Sequence, residues 1–324
     1  MSETAPGTVP GTAPPSGEAP PVLAEVVRSG FVESRHRGAL VVLAPDGSLA
    51  RALGDVRAPV FPRSSNKPMQ AAGVLRAGLD LAGERLALAA ASHAGEPFHR
   101  ELVARMLAER GLTEEALGCP AERPGFGEGE GPASRLAMNC SGKHAAMLSV
   151  CAERGWPLDS YLDPGHPLQR LIEETVTEAT GEPVARTGVD GCGAPLPAYS
   201  LTGLARAFRS LVLAEPGTPR RRVADAMRAH PEYVGGTGRP DTLLMRAVPG
   251  TLSKLGAEGV QAVALPDGRA LAFKIEDGAA RARLAVLAAA LRGLGVDPAA
   301  VSAALPPEVV LGAGLPVGEV RAAF

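Results

Sequence analysis

The hydrophobic pattern is typical of strands near both ends of the sequence and of helices in the middle. Short apolar runs bounded by turn residues, at 23–28, 37–43 and 48–53, are typical of antiparallel strands. Apolar residues then recur with helical spacing, and the runs end near glycine or proline, at 69–79, 101–109, 145–154, 168–180 and 201–213. Towards the C-terminus, Pro266-Asp267-Gly268 joins two further strands, and a helix at 279–294 precedes a last strand at 315–320.

This order of elements predicts an α+β fold. Strands at both chain ends with helices between them indicate one antiparallel sheet built from both termini, flanked by helices and carrying a helical insertion. We expect one domain over residues 22–324, with its sheet part at about 22–66 and 250–324 and its helical part at about 67–249. The groove between sheet and helices is where we expect the active site. Residues 1–21 are nearly all Pro, Gly, Ala, Thr, Ser and Glu, which predicts a disordered tail.

Composition narrows the class of protein. The formal net charge is −2 and aromatic residues are 3% of the chain, so the stripe of basic and stacking residues typical of nucleic-acid binding is absent from the sequence. No apolar run is long enough to predict a membrane-spanning helix, and the N-terminus lacks the pattern of a secretory signal. Four cysteines in 324 residues do not predict a disulfide framework. We therefore expect a cytoplasmic enzyme.

The first candidate for chemistry is Ser64, three residues before Lys67 at the start of a predicted helix. At this spacing both side chains project from one helix face, and Pro68 is tolerated in a first turn. A serine hydroxyl needs a neighbouring base before it attacks a carbonyl, and a desolvated lysine can be that base. Alternatively, Ser64 or Ser65 only caps the helix.

Two polar loops hold a second set of candidates. Cys140, Lys143 and His144 precede a helix, and Asp190 and Cys192 lie in a glycine-rich loop. Two thiolates in two tight loops are candidate ligands for zinc, with Lys143, His144, Asp190 or water completing the site. The alternatives are buried structural thiols, or a nucleophile pair of Cys140 with His144.

Two further segments carry weaker signals. Ser92 lies in a compact polar turn, where it could equally cap a helix or end a strand. Lys254 and Gly256 lead into an edge strand, where the lysine can face a serine across a groove and the following N–H groups can stabilise an oxyanion. A solvated lysine beside a turn is the simpler interpretation of Lys254.

Together, these motifs resemble the rhizobial-type (class 3) asparaginases, also named asparaginase II, which are related in fold to serine β-lactamases and glutaminases. The resemblance runs in family order over about residues 22–320, and its matching segments are Arg28-Ser29-Gly30-Phe31-Val32-Glu33-Ser34, Arg63-Ser64-Ser65-Asn66-Lys67-Pro68, Ser92-His93, Asn139-Cys140-Ser141-Gly142-Lys143-His144, Asp190-Gly191-Cys192-Gly193, Gly238-Arg239-Pro240-Asp241 and Lys254-Leu255-Gly256-Ala257-Glu258-Gly259. Leu255 departs from the Lys-Thr-Gly of the family and removes a hydroxyl near the pocket. The spacing from Ser64 to Ser92 is also slightly shorter than the spacing expected for the family.

The resemblance implies roles for individual residues. Its catalytic residues are two Ser-Lys tandems, Ser64 with Lys67 and Ser92 with Lys254. Its substrate-binding residues are Arg63, Asp190 and His144, with Asp190 holding the substrate's amino group. Its metal ligands are Cys140, Lys143 and Cys192, which implies one zinc per chain that serves substrate binding. The family resemblance also implies a homodimer.

We therefore hypothesise an L-asparagine amidohydrolase that forms L-aspartate and ammonia through an acyl-enzyme on Ser64. One rival is a β-lactamase or D-Ala peptidase activity on the same scaffold. The other is a non-catalytic protein that binds zinc or an amino acid. The sequence leaves the preference between asparagine and glutamine open.

Overall fold

The structure is a computed structural model, and it describes residues 19–324. Residues 1–18 of the expected tail lie outside the described residues. The strands are β1 (Val22–Arg28), β2 (Phe31–Leu43), β3 (Leu49–Leu53), β4 (Pro59–Val60), β5 (Arg186–Val189), β6 (Pro195–Ser200), β7 (Leu252–Gly256), β8 (Val260–Ala264), β9 (Ala270–Ile275), β10 (Val309–Gly312) and β11 (Leu315–Ala322). The α-helices are α1 (Lys67–Arg76), α2 (Gly83–Ala89), α3 (Pro97–Ala108), α4 (Ser141–Arg154), α5 (Pro167–Thr180), α6 (Leu201–Leu213), α7 (Pro219–Ala229), α8 (Pro231–Val234), α9 (Pro240–Ala247), α10 (Arg281–Gly293) and α11 (Pro298–Ala304).

The main sheet is antiparallel and takes its strands from both chain ends, which confirms the predicted α+β fold. Its order is β10-β11-β1-β2-β9-β8-β7, with β3 beside β2. β1 and β2 are joined by Ser29 and Gly30, whose φ angles of 49° and 82° are those of a tight two-residue hairpin turn. β2 therefore begins at Phe31, where the sequence predicted turns until residue 37. The start of β2 is largely exposed, so it lacks the apolar alternation that marks a half-buried strand.

Helices cover both faces of this sheet. α10 packs on β1, β11, β8 and β9, while α6 packs on β2, β8 and β9 and leads into the helical part. α6 begins where the Ser200 hydroxyl accepts a hydrogen bond from Gly203 N–H, and its amphipathic pattern buries residues such as Leu204 and Phe208. None of the helices in residues 19–324 is both long and apolar enough to cross a membrane.

A second sheet interrupts the predicted helical part. β4, β6 and β5 form a small antiparallel sheet, and the turn between β5 and β6 carries Asp190 and Cys192. β5 is mostly exposed, so its sequence lacks the apolar signal of a strand. Residues 252–256 were likewise expected only to lead into a strand, yet they form β7, the edge strand beside β8.

Candidate active site

Ser64 lies in a 3-10 turn, Arg63–Asn66, that opens α1. In a 3-10 turn the side chains at i and i+3 eclipse, so Ser64 and Lys67 project in the same direction. Arg63 has a φ of +51°, a strained value for a residue with a side chain, directly before the candidate nucleophile. Ser64 is half-buried, and its hydroxyl has no hydrogen-bond partner among residues 19–324. This hydroxyl is therefore free to act on a ligand.

Ser92 lies between two buried lysines. Lys67 Nζ and Lys254 Nζ each lie 2.9 Å from Ser92 Oγ, and Lys254 Nζ also donates to the Leu255 carbonyl at 3.1 Å. The three side chains are between 1% and 2% exposed. The first lysine comes from the helix that follows Ser64, and the second from the edge strand β7. The Ser92 hydroxyl thus contacts the lysine of each predicted Ser-Lys tandem.

The charge of Lys254 follows from its surroundings. Burial lowers its pKa from 10.5 to about 7, since the attraction of Asp241 only partly offsets burial and the repulsion from Lys67 adds to it. Near neutral pH a large fraction of Lys254 is therefore uncharged and can accept a proton. When Lys254 is neutral, Ser92 O–H can donate to it while accepting a hydrogen bond from Lys67.

β7 is held against the turn that carries Ser64. Ser65 Oγ donates to the Lys254 carbonyl at 2.9 Å. A Cβ atom at Gly256 would overlap the Pro62 carbonyl oxygen, so only glycine allows β7 to approach this closely. The N–H of Leu255 donates to Asp241 Oδ2 at 2.8 Å, so this N–H is not available as the oxyanion donor expected after Lys254.

Arg63 and Asp190 form an ion pair at the rim of the site. Arg63 Nε donates to Asp190 Oδ1 at 2.8 Å, and Gly191 N–H donates to the same oxygen at 2.9 Å. The other carboxylate oxygen has one hydrogen-bond partner in the described part of the chain, the Cys192 thiol, whose sulfur lies 4.0 Å away. Oδ2 therefore keeps the capacity to accept hydrogen bonds from a ligand.

A buried thiol cluster adjoins this carboxylate. Lys143 Nζ lies 3.1 Å from Cys192 Sγ, and the two cysteines are at most 3% exposed. The contact with the Cys140 thiol lowers the pKa of Cys192, and the same contact raises the pKa of Cys140. Burial alone would lower the pKa of Lys143, but the attraction of the Cys192 thiolate, with a smaller effect from Cys140, outweighs it and raises the pKa. Without metal, the ammonium of Lys143 thus neutralises a thiolate.

The fit of a zinc ion can be tested on this donor set. His144 Nδ1 bonds the Tyr161 hydroxyl at 2.5 Å, while its buried Nε2 has no hydrogen-bond partner within residues 19–324. Two thiols and an amine, with this imidazole nitrogen nearby, are compatible with tetrahedral zinc. Among the described residues no three His, Cys, Asp or Glu side chains form a metal-binding group, so a site here depends on Lys143 as a ligand.

The family model described as L-asparaginase II matches residues 24–322. The chain belongs to the L-asparaginase II family. This confirms the resemblance found in the sequence and supports hydrolase activity.

Matches to individual proteins are more distant than the family match. No curated protein sequence matches the chain. Among solved structures, the chain is similar to a β-lactamase from Mycobacterium bovis, with 17% identity, a TM-score of 0.44, and 80% of this chain and 95% of that chain covered. It is also similar to Mglu in its native form, with 15% identity, a TM-score of 0.45, and 81% of this chain and 65% of that chain covered. A third similar structure is simvastatin synthase from Aspergillus terreus, with 13% identity, a TM-score of 0.39, and 74% of this chain and 86% of that chain covered. TM-scores below 0.5 support no conclusion about chemistry.

The structure brings several of the predicted residues into contact, but no hydrogen bond joins Ser64 Oγ to Lys67 Nζ among residues 19–324. Lys67, Ser92 and Lys254 meet directly, Arg63 meets Asp190, and Lys143 meets Cys192. His144 bonds Tyr161 rather than pairing as a base with Cys140. The roles of these residues stay predictions.

Sequence reasoning gave no role to Asp241 or Tyr161, although both touch this site. Lysine is rare in this sequence, with four lysines among the 33 basic residues, and this rarity marks the lysines as candidates. The structure buries three of the four at this site.

Proposed function

We propose that this member of the L-asparaginase II family hydrolyses the side-chain amide of L-asparagine to L-aspartate and ammonia. The observation that carries the proposal is the Ser92 hydroxyl held between Lys67 and Lys254 at 2.9 Å each, with Lys67 one turn after Ser64 in the chain. Such a buried chain of one hydroxyl and two amines can move protons, which amide hydrolysis requires in both of its steps.

The ion pair at the rim suits the backbone of a free amino acid. Asp190 Oδ2 can accept a hydrogen bond from the α-ammonium group, and Arg63 can hold the α-carboxylate. Arg63 is fixed through Asp190, so both charges of the amino acid are recognised by one preformed unit. A zwitterion bound in this way presents its side chain to the turn that carries Ser64.

Acyl transfer then proceeds through the tandem residues. Lys67 passes a proton through Ser92 to neutral Lys254, and Ser64 Oγ bonds to the amide carbon while its own proton passes to Lys67. The proton returns to the leaving nitrogen along Lys67, Ser92 and Lys254, and ammonia departs. Water hydrolyses the aspartyl ester with the same bases and regenerates Ser64 O–H. The unpaired N–H groups at the start of a helix, among them that of Ser64, are candidate oxyanion donors.

We further propose that Cys140, Lys143 and Cys192 hold one zinc ion. When bound, zinc would supply a fixed positive charge beside the substrate pocket. Lys143 would have to give up its proton to become a ligand.

The decisive test measures ammonia and aspartate formation from L-asparagine, with L-glutamine and nitrocefin as parallel substrates. We expect turnover of asparagine, with kcat lowered by at least about 10³ in Ser64→Ala. Hydrolysis of nitrocefin without ammonia release from asparagine would replace the proposal with a β-lactamase activity. Absence of any turnover, together with saturable binding of asparagine, would indicate a non-catalytic binding protein.

A further inference from the structure

Behind β7, on the side away from Ser92, lies a buried network of polar side chains centred on Asp241. Its carboxylate is 1% exposed. Oδ1 accepts from Ser253 Oγ at 2.7 Å and from Gln261 Nε2 at 3.0 Å, and Oδ2 accepts the N–H of Leu255 at 2.8 Å. A buried carboxylate with this many donors is held in one position.

The network continues to a positive charge. Arg283 of α10 donates to Gln261 Oε1 at 2.8 Å, so Gln261 links the guanidinium to the carboxylate. Within the described part of the chain, the side-chain hydrogen bond of Arg283 goes to Gln261 and not to Asp241. The two charges are thus held apart, one on α9 and one on α10, on the same side of the sheet.

Strand geometry relates this network to Lys254. Successive side chains of a strand point to opposite faces, so Ser253 and Leu255 share one face and Lys254 lies on the other. Asp241 binds the residues on both sides of Lys254 in the sequence. It therefore sets the position of β7 from which the Lys254 side chain reaches Ser92.

The segment before Asp241 also holds Ser92. The N–H of Ser92 donates to the Val234 carbonyl at 3.0 Å, and Thr237 donates to Glu96 through its N–H at 2.6 Å and its hydroxyl at 2.8 Å. Residues 234–241 are thereby attached to the segment that carries Ser92 at one end and to β7 at the other. A single short segment connects both members of the second tandem.

We propose that Asp241 and Arg283 are positioning residues that place Lys254 against Ser92 and set the charge of its amine through their opposite signs. The inference rests on the proposed function, because it gives Lys254 its part in proton transfer. Neither residue touches the reacting groups. The carboxylate favours the ammonium form of Lys254 and the guanidinium favours the neutral amine.

The effects of Asp241 and Arg283 on the pKa of Lys254 have the directions expected from their charges. Asp241 raises its pKa, while Arg283 and Lys67 lower it. The charged or titratable groups around the amine are Lys67 from α1, Cys140 before α4, Asp241 from α9 and Arg283 from α10. A residue that served only packing would not shift the protonation of Lys254 in a direction set by its own charge.

The test follows the amine directly, without needing turnover. The chain has four lysines, Lys67, Lys143, Lys254 and Lys274, so protein labelled with ¹³C at lysine Cε gives a spectrum of four sites. Lys254→Met assigns its signal, and the chemical shift is then followed against pH.

We expect the midpoint for Lys254 to fall by about one pH unit in Asp241→Asn and to rise in Arg283→Gln. Ser253→Ala removes a hydrogen bond to Asp241 but no charge, so its midpoint should match that of the unaltered protein. The acid limb of kcat should move with the midpoint in each variant.

Unchanged midpoints in both charge variants, or shifts in the same direction, would overturn the inference. If Asp241→Asn does not fold, Arg283→Gln decides alone: a raised midpoint supports the proposal and an unchanged one refutes it. If the unaltered protein releases no ammonia from asparagine, the proposed function fails, while opposite shifts of the Lys254 signal would still establish the charge effect.

Discussion

Lys254 should lower the free energy of unfolding by an amount that depends on pH. Its pKa is about 7 in the folded protein and has an ordinary value of 10.5. Because the folded state binds the proton less tightly than the unfolded chain, the cost is absent above pH 10.5, grows as the pH falls, and levels off below about 7. This difference corresponds to about 4 kcal/mol of unfolding free energy near pH 7, and to about 1.5 kcal/mol near pH 9.5.

Lys254→Met tests this estimate. Methionine carries no charge, so the variant escapes the cost but loses the hydrogen bonds to Ser92 and Leu255, which contribute about 1 kcal/mol each. We expect the variant to be more stable than the unaltered protein near pH 7. Near pH 9.5 the stability of the variant relative to the unaltered protein should be about 3 kcal/mol lower than near pH 7, so the variant becomes the less stable of the two, because the unfolded lysine then binds its proton less completely.

The measurement is urea unfolding of both proteins at the two pH values in one buffer. Lys274→Met is the matched control: Lys274 is only half-buried, so its stability difference should depend less on pH. A difference between Lys254→Met and the unaltered protein that is equal at both pH values would show that Lys254 is not held as a destabilised amine.

The other predictions concern activity and metal. Ser64→Ala should lower kcat by at least about 10³ in the ammonia assay, while Ser65→Ala, which removes a bond to a backbone carbonyl, should have a much milder effect; near-normal turnover in Ser64→Ala would contradict the acyl-enzyme. Metal analysis should find about one zinc per chain, lost in Cys140→Ser and in Cys192→Ser; zinc kept by the double variant would rule out these ligands. The rate should rise with pH through an apparent pKa near 7 to an optimum at about pH 8–9, and Lys67→Arg should be nearly inactive throughout because arginine keeps its proton; normal rates in that variant would place the base elsewhere.

Local sequence was sufficient for the elements with strong patterns. The helix at 201–213 was predicted with the observed bounds because its apolar stripe and its ends are all encoded nearby. The hairpin of β8 and β9 was predicted from Pro266-Asp267-Gly268, since a turn depends on a few adjacent residues. Elements without such patterns were missed: β5 is exposed and only four residues long, and its strand geometry depends on pairing with β6.

The features of the candidate site can likewise be separated into those that local sequence encodes and those that it does not. The sequence by itself determined which residue types were present: Ser64 three residues before Lys67 on one face of a turn, and the family motifs around Cys140 and Asp190. Only the tertiary structure decided that Lys67 reaches Ser92 and that Lys254 meets it from the other side. These contacts join residues 25 and 162 positions apart, so no local periodicity encodes them. The pKa of Lys254 belongs to this second group, because burial and the charges of four groups from distant parts of the chain set it.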